Sequence, residues 1–469
     1  MQRRIFLQNF LLLTGGFLSG CSKRISSSST RRSTIKGKVL AHGKGVAGVV
    51  LSDGYSVVKT SDDGSYTMKL TTQSEHVFLS IPSGYAMPHQ KNIAHHYKVV
   101  TEGADFNFEL QPLAVNDEKH QFMIWADPQV KNENDVGKLM KQSVPDVQQY
   151  IQSLPADTLI HGICVGDIVW DNPSLFSSYN AAIEKCGLTF FQALGNHDMD
   201  YRQGGDETSD VTFKKTYGPT YYSFNRGQVH YVVLDDVYYL GKEREYKGFI
   251  TEVQLEWLKK DLSYISKDKV IIVCLHIPLH NKVENNTALY DILKPYSKVH
   301  IMSGHTHYNQ NVIQDNVYEH VHGTICGAWW TGPICDDGTP PGYAIYEVDG
   351  TEIKWHYKSV GQSKEFQIRA MVEKDNEERE LFANIWNWDS AWKVEWQIDG
   401  INKGILPRVK DFDPLAVALY KGDQLPRTRP FVEPHKTDHI FKARVAATVG
   451  EIKILATDRF GNKYETIIK

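Results

Sequence analysis

Six potential metal donors stand just past the ends of apolar runs in this 469-residue chain. Asp127 follows "FMIWA", and Asp167 follows "ICVG". Asn196 and His197 follow "FFQALG", His276 follows "VIIVCL", and His305 and His307 follow "VHIMSG". Such runs read as buried strands, and strand ends bring residues distant in sequence into one crevice. Two carboxylates, one amide oxygen and three imidazoles could hold two divalent cations side by side, with one carboxylate bridging. For a single aspartate, such as Asp127 before Pro128 or Asp198 after His197, a turn or cap would be the first reading. The combination makes that the minority reading.

The elements that would position these residues are sheets layered with helices. Apolar runs at 122–126, 159–165, 229–234, 270–275 and 299–302 alternate with helical patterns. Residues 252–265 place Val253, Leu255, Trp257, Leu258, Leu262 and Ile265 largely on one helical stripe, and 288–293 is a shorter helix candidate. On either side the texture is different. Residues 35–112 alternate in short runs punctuated by Gly43, Gly45, Gly48, Gly54 and Gly64, which predicts a small β-sandwich. Beyond about Val360 the alternation returns, with Trp386, Trp388, Trp392 and Trp396, so a β-rich domain over 361–469 should close the chain. A chain of this length exceeds what one hydrophobic core supports, and two or three domains are expected.

The order Asp127, "GD" at Gly166 and Asp167, "GNHD" from Gly195 to Asp198, His276, and "GHTH" from Gly304 to His307 resembles the calcineurin-like metallophosphoesterases. The resemblance covers residues 118–360 and implies an α/β fold with a four-layer α/β/β/α core. With both flanking β regions, and with "YGPTYYSF" and "SGHTHYN", the chain is similar to bacterial metallophosphoesterases that carry added N-terminal and C-terminal modules. Residues 37–70 resemble transthyretin-like or carboxypeptidase-regulatory-like accessory modules.

The resemblance implies two metal ions, divalent or mixed-valence and drawn from Mn, Fe and Zn. Asp167 would bridge them, Asp127 and His307 would serve the first, and Asn196, His276 and His305 would serve the second. A hydroxide between them would be the nucleophile on phosphorus, with no covalent enzyme intermediate. His197 would sit over the phosphate, and Asp198 could orient its imidazole. The family's first motif carries His two residues after the Asp, where this chain has Gln129, as in a related subgroup; Gln129 offers only a neutral amide oxygen to the first metal. Trp170 stands where purple acid phosphatases place an iron-binding Tyr, which disfavours that variant. Trp329, Trp330, Asp336, Asp337 and Tyr343 follow the last motif and could wall a pocket for a small phosphorylated substrate, with packing against the C-terminal domain an equal reading for the tryptophans. His161 and His300 lie within apolar runs and read as satisfied structural histidines, and His280 as a surface-loop residue. The Trp386 to Trp396 group reads as core or interdomain packing.

Hydrophobic residues at 41% and charged residues at 23% are ordinary for a globular protein, and a net charge of −4 supplies no field for holding nucleic acid as a bulk partner. Arg3 and Arg4 followed by an apolar stretch to Leu18 read as an export signal. Leu18, Ser19, Gly20 and Cys21 resemble a bacterial lipobox, so residues 1–21 are expected to be a lipoprotein signal ending in a lipidated Cys21, and 22–34 a flexible tether. Arg3, Arg4, Phe6 and Leu7 also resemble a twin-arginine signal with Gln8 in place of its Lys, and the export route stays open. The expectation is a lipid-anchored, periplasm-facing protein of the bacterial envelope, held to the membrane by its N-terminal lipid only. Five cysteines remain after Cys21, an odd number; Cys164 and Cys274 read as buried thiols, and Cys326 and Cys335 as either a bridge or free thiols. Neither oligomeric state nor the choice between monoester and diester is legible. The rival from another class is a non-catalytic envelope lipoprotein that binds polymer or protein through its β domains.

Overall fold

The computed structural model describes residues 33–469 apart from 376–377, 422–424, 426–428, 447 and 449. The expected export signal, Cys21 and nearly all of the tether lie outside the described residues. Two sheets form the centre. The first runs in the order Glu352–Ser359, Gly342–Asp349, Lys119–Trp125, Ile160–Cys164, Phe190–Gln192, Ile93–Ala94, His89–Gln90. The second runs Tyr222–Arg226, Val229–Val233, Val270–Cys274, Val299–Ser303, Val317–Val321, Gln310–Gln314. The inner strands of each are parallel and buried on both faces, which is why they read as unbroken apolar runs.

The sheets pack face to face through aromatic rings. Phe191 stacks on Phe224 at 3.9 Å between centroids, and Phe122 meets Tyr231 edge to face at 5.4 Å. Helices Glu133–Lys141, Ser143–Ser153 and Phe176–Cys186 lie on the first sheet's side, where Tyr150 Oη donates to Gln121 Oε1 at 2.7 Å. Helices Glu252–Leu262 and Asn286–Leu293 lie on the other, tied in by the Asp261 carboxylate, 2.8 Å from His230 Nε2. The result is the four-layer α/β/β/α arrangement.

His161 departs from the expectation. It is fully buried between Phe122, Tyr231, Phe224 and Phe191, and neither ring nitrogen has a partner. It packs as an aromatic and is not satisfied as a polar group. His300 does find one, with Nδ1 3.1 Å from His320 Nε2. Val253, placed on the apolar stripe of its helix, is 44% exposed, while Leu255, Trp257, Leu258 and Leu262 are buried.

Residues 33–113 form two four-stranded sheets, but their packing does not stop at their own edge. Ile93 pairs in parallel with Phe190 of the first central sheet, and Ile81 bridges to Phe224 of the second. One buried apolar cluster therefore runs without interruption from Val39 to Trp355.

The C-terminal region is a sandwich of two four-stranded sheets closed around Leu381, Ile385, Trp392, Val394, Phe441 and Ile454. Its tryptophans are placed differently from the strand-like alternation. Trp386, Trp388 and Trp392 lie on the turn between strands Glu378–Asn384 and Lys393–Ile398, and only Trp396 is in a strand. Trp386 is fully buried against Phe366, and Trp392 stacks on Tyr464. Cys164, Cys186, Cys274, Cys326 and Cys335 are all free, buried thiols, which settles Cys326 and Cys335 as unbridged.

Candidate metal centre

The donor residues meet because each parallel strand hands its chain to a tight loop at the same end. Asp127, Gln129, Asp167, His305 and His307 all take positive φ, between 39° and 69°. Five non-glycine residues in that sparsely allowed region, clustered at one point, mark backbone held against its preference at a functional site. The glycines of the motifs make room for this. A side chain on Gly195 would put its Cβ 2.0 Å from Asp167 N, and Gly166, at φ +92°, would meet His276 Nδ1 at 2.5 Å.

Asp167 sits at the middle. Its Oδ1 accepts from His197 N at 2.8 Å and lies 3.3 Å from His276 Nε2; its Oδ2 accepts from Gln129 Nε2 at 2.6 Å. His276 Nε2 is also 3.1 Å from Asn196 Oδ1 and 3.2 Å from His305 Nδ1. Among the described residues, Asp167, His276 and His305 bring ligand atoms within 4.8 Å of one another. On the other side, Asp127 accepts from His305 N at 2.9 Å, and its Oδ1 is 3.5 Å from His307 Nε2.

Gln129 Oε1 and His307 Nδ1, both buried, have no hydrogen-bond partner among the described residues. The mixture of carboxylate, imidazole and amide oxygen gathered around Asp167 fits transition ions of the Mn, Fe and Zn group. The electrostatics of the cluster are mixed: burial works against a charged His276, but Asp167 and Asp127 outweigh it and raise the imidazole to about 10. Burial works against the charged form of Asp167, yet His276 and His197 outweigh it and hold the carboxylate well below its ordinary range. Burial pushes Asp127 up to about 8. Burial, with His276 beside it, pushes His305 down to about 3, and burial does the same to His307, so both imidazoles are neutral and able to ligate.

His197 is at the mouth of this cluster, about one-fifth exposed. Its ring is not oriented by Asp198. That carboxylate is turned into the backbone, accepting from Val169 N at 3.0 Å and Gly195 N at 2.9 Å, and so ties the turn at Asn196–Asp198 to the loop that follows Asp167. Asp171 takes the role instead. Its Oδ1 is 2.7 Å from His197 Nδ1, and its own N–H donates to His197 O at 2.9 Å. Burial would lower the proton affinity of His197, but Asp167 and Asp171 reverse this and raise it. Arg244 lies 2.7 Å from Asp171 Oδ2, but its side chain is 64% exposed, and such a pair contributes only about 0–1 kcal/mol. The imidazole is what fixes Asp171.

Of the residues expected to wall a pocket, Trp329 stands against the donor cluster, stacked on His307 at 4.1 Å. Trp330 is buried beneath the Asp127 turn, where Nε1 donates to Pro128 O at 2.8 Å. Asp337 is fully buried and accepts from Asn309 N at 2.9 Å and Thr339 Oγ1 at 2.8 Å, bracing the loop that follows His307. Asp336 is half buried, and its carbonyl accepts from His435 N at 2.9 Å. Tyr343 is behind the sheet, donating to Asp146 at 2.6 Å. These three carry backbone or packing contacts and do not face the metal cluster. His280 is half buried and held by Glu319 at 2.9 Å.

Reading the sequence missed Asp171 and Asp236. Asp171 carried a signal, a carboxylate four residues past the "GD" aspartate. Asp236 is fully buried and accepts from His276 N at 3.0 Å and Ile277 N at 3.0 Å; it follows the apolar run at 229–234 as the other site residues follow theirs.

Family models match nearly the whole described chain: "N terminal of Calcineurin-like phosphoesterase" over residues 33–113, "Calcineurin-like phosphoesterase" over 121–309 and "C terminal of Calcineurin-like phosphoesterase" over 319–464. Solved structures to which the chain is similar include a dimetal phosphatase from Danio rerio, at 16% identity and a TM-score of 0.39, covering 52% of this chain and 97% of the other. Another is a purple acid phosphatase from yellow lupin, at 14% identity and a TM-score of 0.38, covering 67% of each chain. With its N-terminal, catalytic and C-terminal regions each matched within one family, the chain belongs to the calcineurin-like phosphoesterases and is a metallophosphoesterase, a hydrolase of phosphoric ester bonds.

Proposed function

We propose that this protein hydrolyses a small phosphate monoester or diester in the bacterial envelope, with two cations held by Asp127, Gln129, Asp167, Asn196, His276, His305 and His307. The observation that carries the reading is the gathering of His276, His305 and Gln129 around Asp167, with Gln129 Oε1 buried and unpartnered among the described residues. When bound, a pair of such cations supplies an acidified water as nucleophile and neutralises charge on the phosphoryl oxygens. Asp167 holds the centre of the cluster. Asp236 fixes the backbone of His276, whose Nδ1 is set by Val165 O at 2.9 Å, so that Nε2 points into the cluster. His197, clamped at Nδ1 by Asp171, presents Nε2 outward to steady the phosphate and protonate the leaving oxygen.

Protein stripped of metal and reloaded separately with Mn, Fe or Zn should recover hydrolysis of 4-nitrophenyl phosphate or bis(4-nitrophenyl) phosphate, with two ions bound per chain. Full turnover in the stripped protein, or none at any loading, would refute the reading. The envelope location rests on the lipobox-like Leu18 to Cys21. Cys21→Ser should move the protein from the membrane fraction to the soluble fraction with its turnover intact.

A further inference from the structure

A small polar cleft opens where the C-terminal region meets the loops of the metal centre. Its volume is about 90 Å³, and its walls include Asn281, Tyr308, Asn309, Lys410, His435 and Asp438. Asn281 comes five residues after His276 and Asn309 two after His307, so the Asn309 Cα is within about 7 Å of that of His307. The opposite wall is the paired strands Arg408–Phe412 and Lys436–Val445 of the C-terminal region. Tyr308 and His435 join the two sides, their rings stacked at 4.4 Å and 12°.

Asn309 gives the cleft its chemistry. It is only 5% exposed; its N donates to Asp337 Oδ2 at 2.9 Å, and its Oδ1 accepts from Gly323 N at 2.6 Å. The Gly323 contact fixes which end of the amide carries the hydrogens. That end, Nδ2, is buried and has no partner among the described residues. A buried donor without an acceptor is costly, so the position calls for an acceptor from outside the chain.

The charges favour a negative one. Lys410 and Lys282 both act on the His435 ring, and neither has an ion pair among the described residues. Lys436 also lines the cleft, with its Nζ 5.1 Å over the Phe412 ring. The acidic group on the wall, Asp438, has Arg408 Nη1 3.9 Å from its Oδ2. Behind the wall Asp337 is paired with His439 Nε2 at 3.1 Å, and burial, with Asp337 beside it, pushes Asp336 well up toward its neutral form.

We propose that this cleft is a second oxyanion site, distinct from the metal centre, which holds one phosphate group between the Asn309 amide and the Lys410 ammonium. Its volume admits one small oxyanion or a few waters. The phosphate group can come from two sources, a free ion or the distal phosphate of an ester whose other phosphorus lies over the metals. The second source rests on the phosphoesterase reading, and the site itself does not.

The test follows the ring protons of His435 by NMR in the zinc-loaded full-length chain, assigned by their loss in His435→Gln, so that phosphate held at the metals is not what is read. Inorganic phosphate should move them saturably, with a Kd on the order of 1 mM, and chloride at equal ionic strength should not. Asn309→Asp keeps the acceptor for Gly323 N and puts a repelling oxygen in place of the donor; it should weaken binding by about ten- to a hundredfold. Lys410→Glu, on the surface and safe for folding, should weaken it by about tenfold. Fructose 1,6-bisphosphate against fructose 6-phosphate separates the sources. A kcat/KM preference for the bisphosphate that Lys410→Glu removes, with fructose 6-phosphate turnover unchanged, assigns the cleft to the distal phosphate of a substrate. Equal turnover of the two, with the response to free phosphate intact, assigns it to the free ion. If neither ester is cleaved but the His435 protons still respond, the oxyanion site stands and the phosphoesterase reading falls. No saturable movement would mean that only water meets Asn309 Nδ2, and an undiminished response in both variants would mean an adventitious ion only; either result overturns the proposal.

Discussion

The two halves of the metal centre are built to different standards. Around His276 everything is tied down: Asn196 and His305 lie within 3.2 Å of Nε2, Val165 O fixes Nδ1, and the backbone is anchored on Asp236. Around Asp127 the contacts are looser. His307 stands 3.5 Å off with an idle Nδ1, and Gln129 spends its N–H on Asp167 and leaves its oxygen without a partner. One half is preorganised by hydrogen bonds and the other waits for a ligand to complete it. Preorganised donors lose less freedom on binding, so the His276 half should fill first and more tightly.

The largest effect tests whether the halves share a hinge. Asp167 is the residue common to both, and Asp167→Asn should lower kcat on the order of a thousandfold and strip metal from both positions. Residual turnover within tenfold of wild type, or one position still filled in elemental analysis, would mean that the halves are independent. Asp236→Asn should act on the tight half alone, weakening that binding step by about ten- to a hundredfold through loss of the support behind His276. Calorimetric titration of stripped protein reads this directly, and an equal loss in both steps would erase the distinction. The smallest effect is a gain. Gln129→His replaces an amide with an imidazole and should tighten the weaker step by about tenfold, with activity following that step. A wild type that loads both ions in one tight step, unmoved by this substitution, would show that Gln129 is not what limits the loose half.

Much of the centre was legible because each donor ends an apolar run, and parallel strands must end together. The donors expected from "GD", "GNHD" and "GHTH" are neighbours in space for that reason. Asp198 and Asp171 show where the logic stopped. Adjacency in sequence favoured Asp198, but its carboxylate is spent on the backbone amides of Gly195 and Val169, and the residue that reaches the imidazole comes from another loop. The flanking regions were harder for a different reason. Trp388 and Trp392 have the spacing of strand residues yet precede the strand, because a sandwich core can be filled from its edge as well as from its strands, and Trp386 packs on Phe366 instead.

The pairing of Ile93 with Phe190 also says something about how the molecule is made. As the chain leaves the ribosome, the first region can close most of its own sheets, but one of its edges has no mate until Phe190 is synthesised. Its completion is postponed to the middle of translation, and the catalytic strands that pair with this edge form against a surface already half assembled. Synthesis of this protein is therefore less a sequence of finished parts than a single growing template, in which the first region is completed only as the central sheet forms.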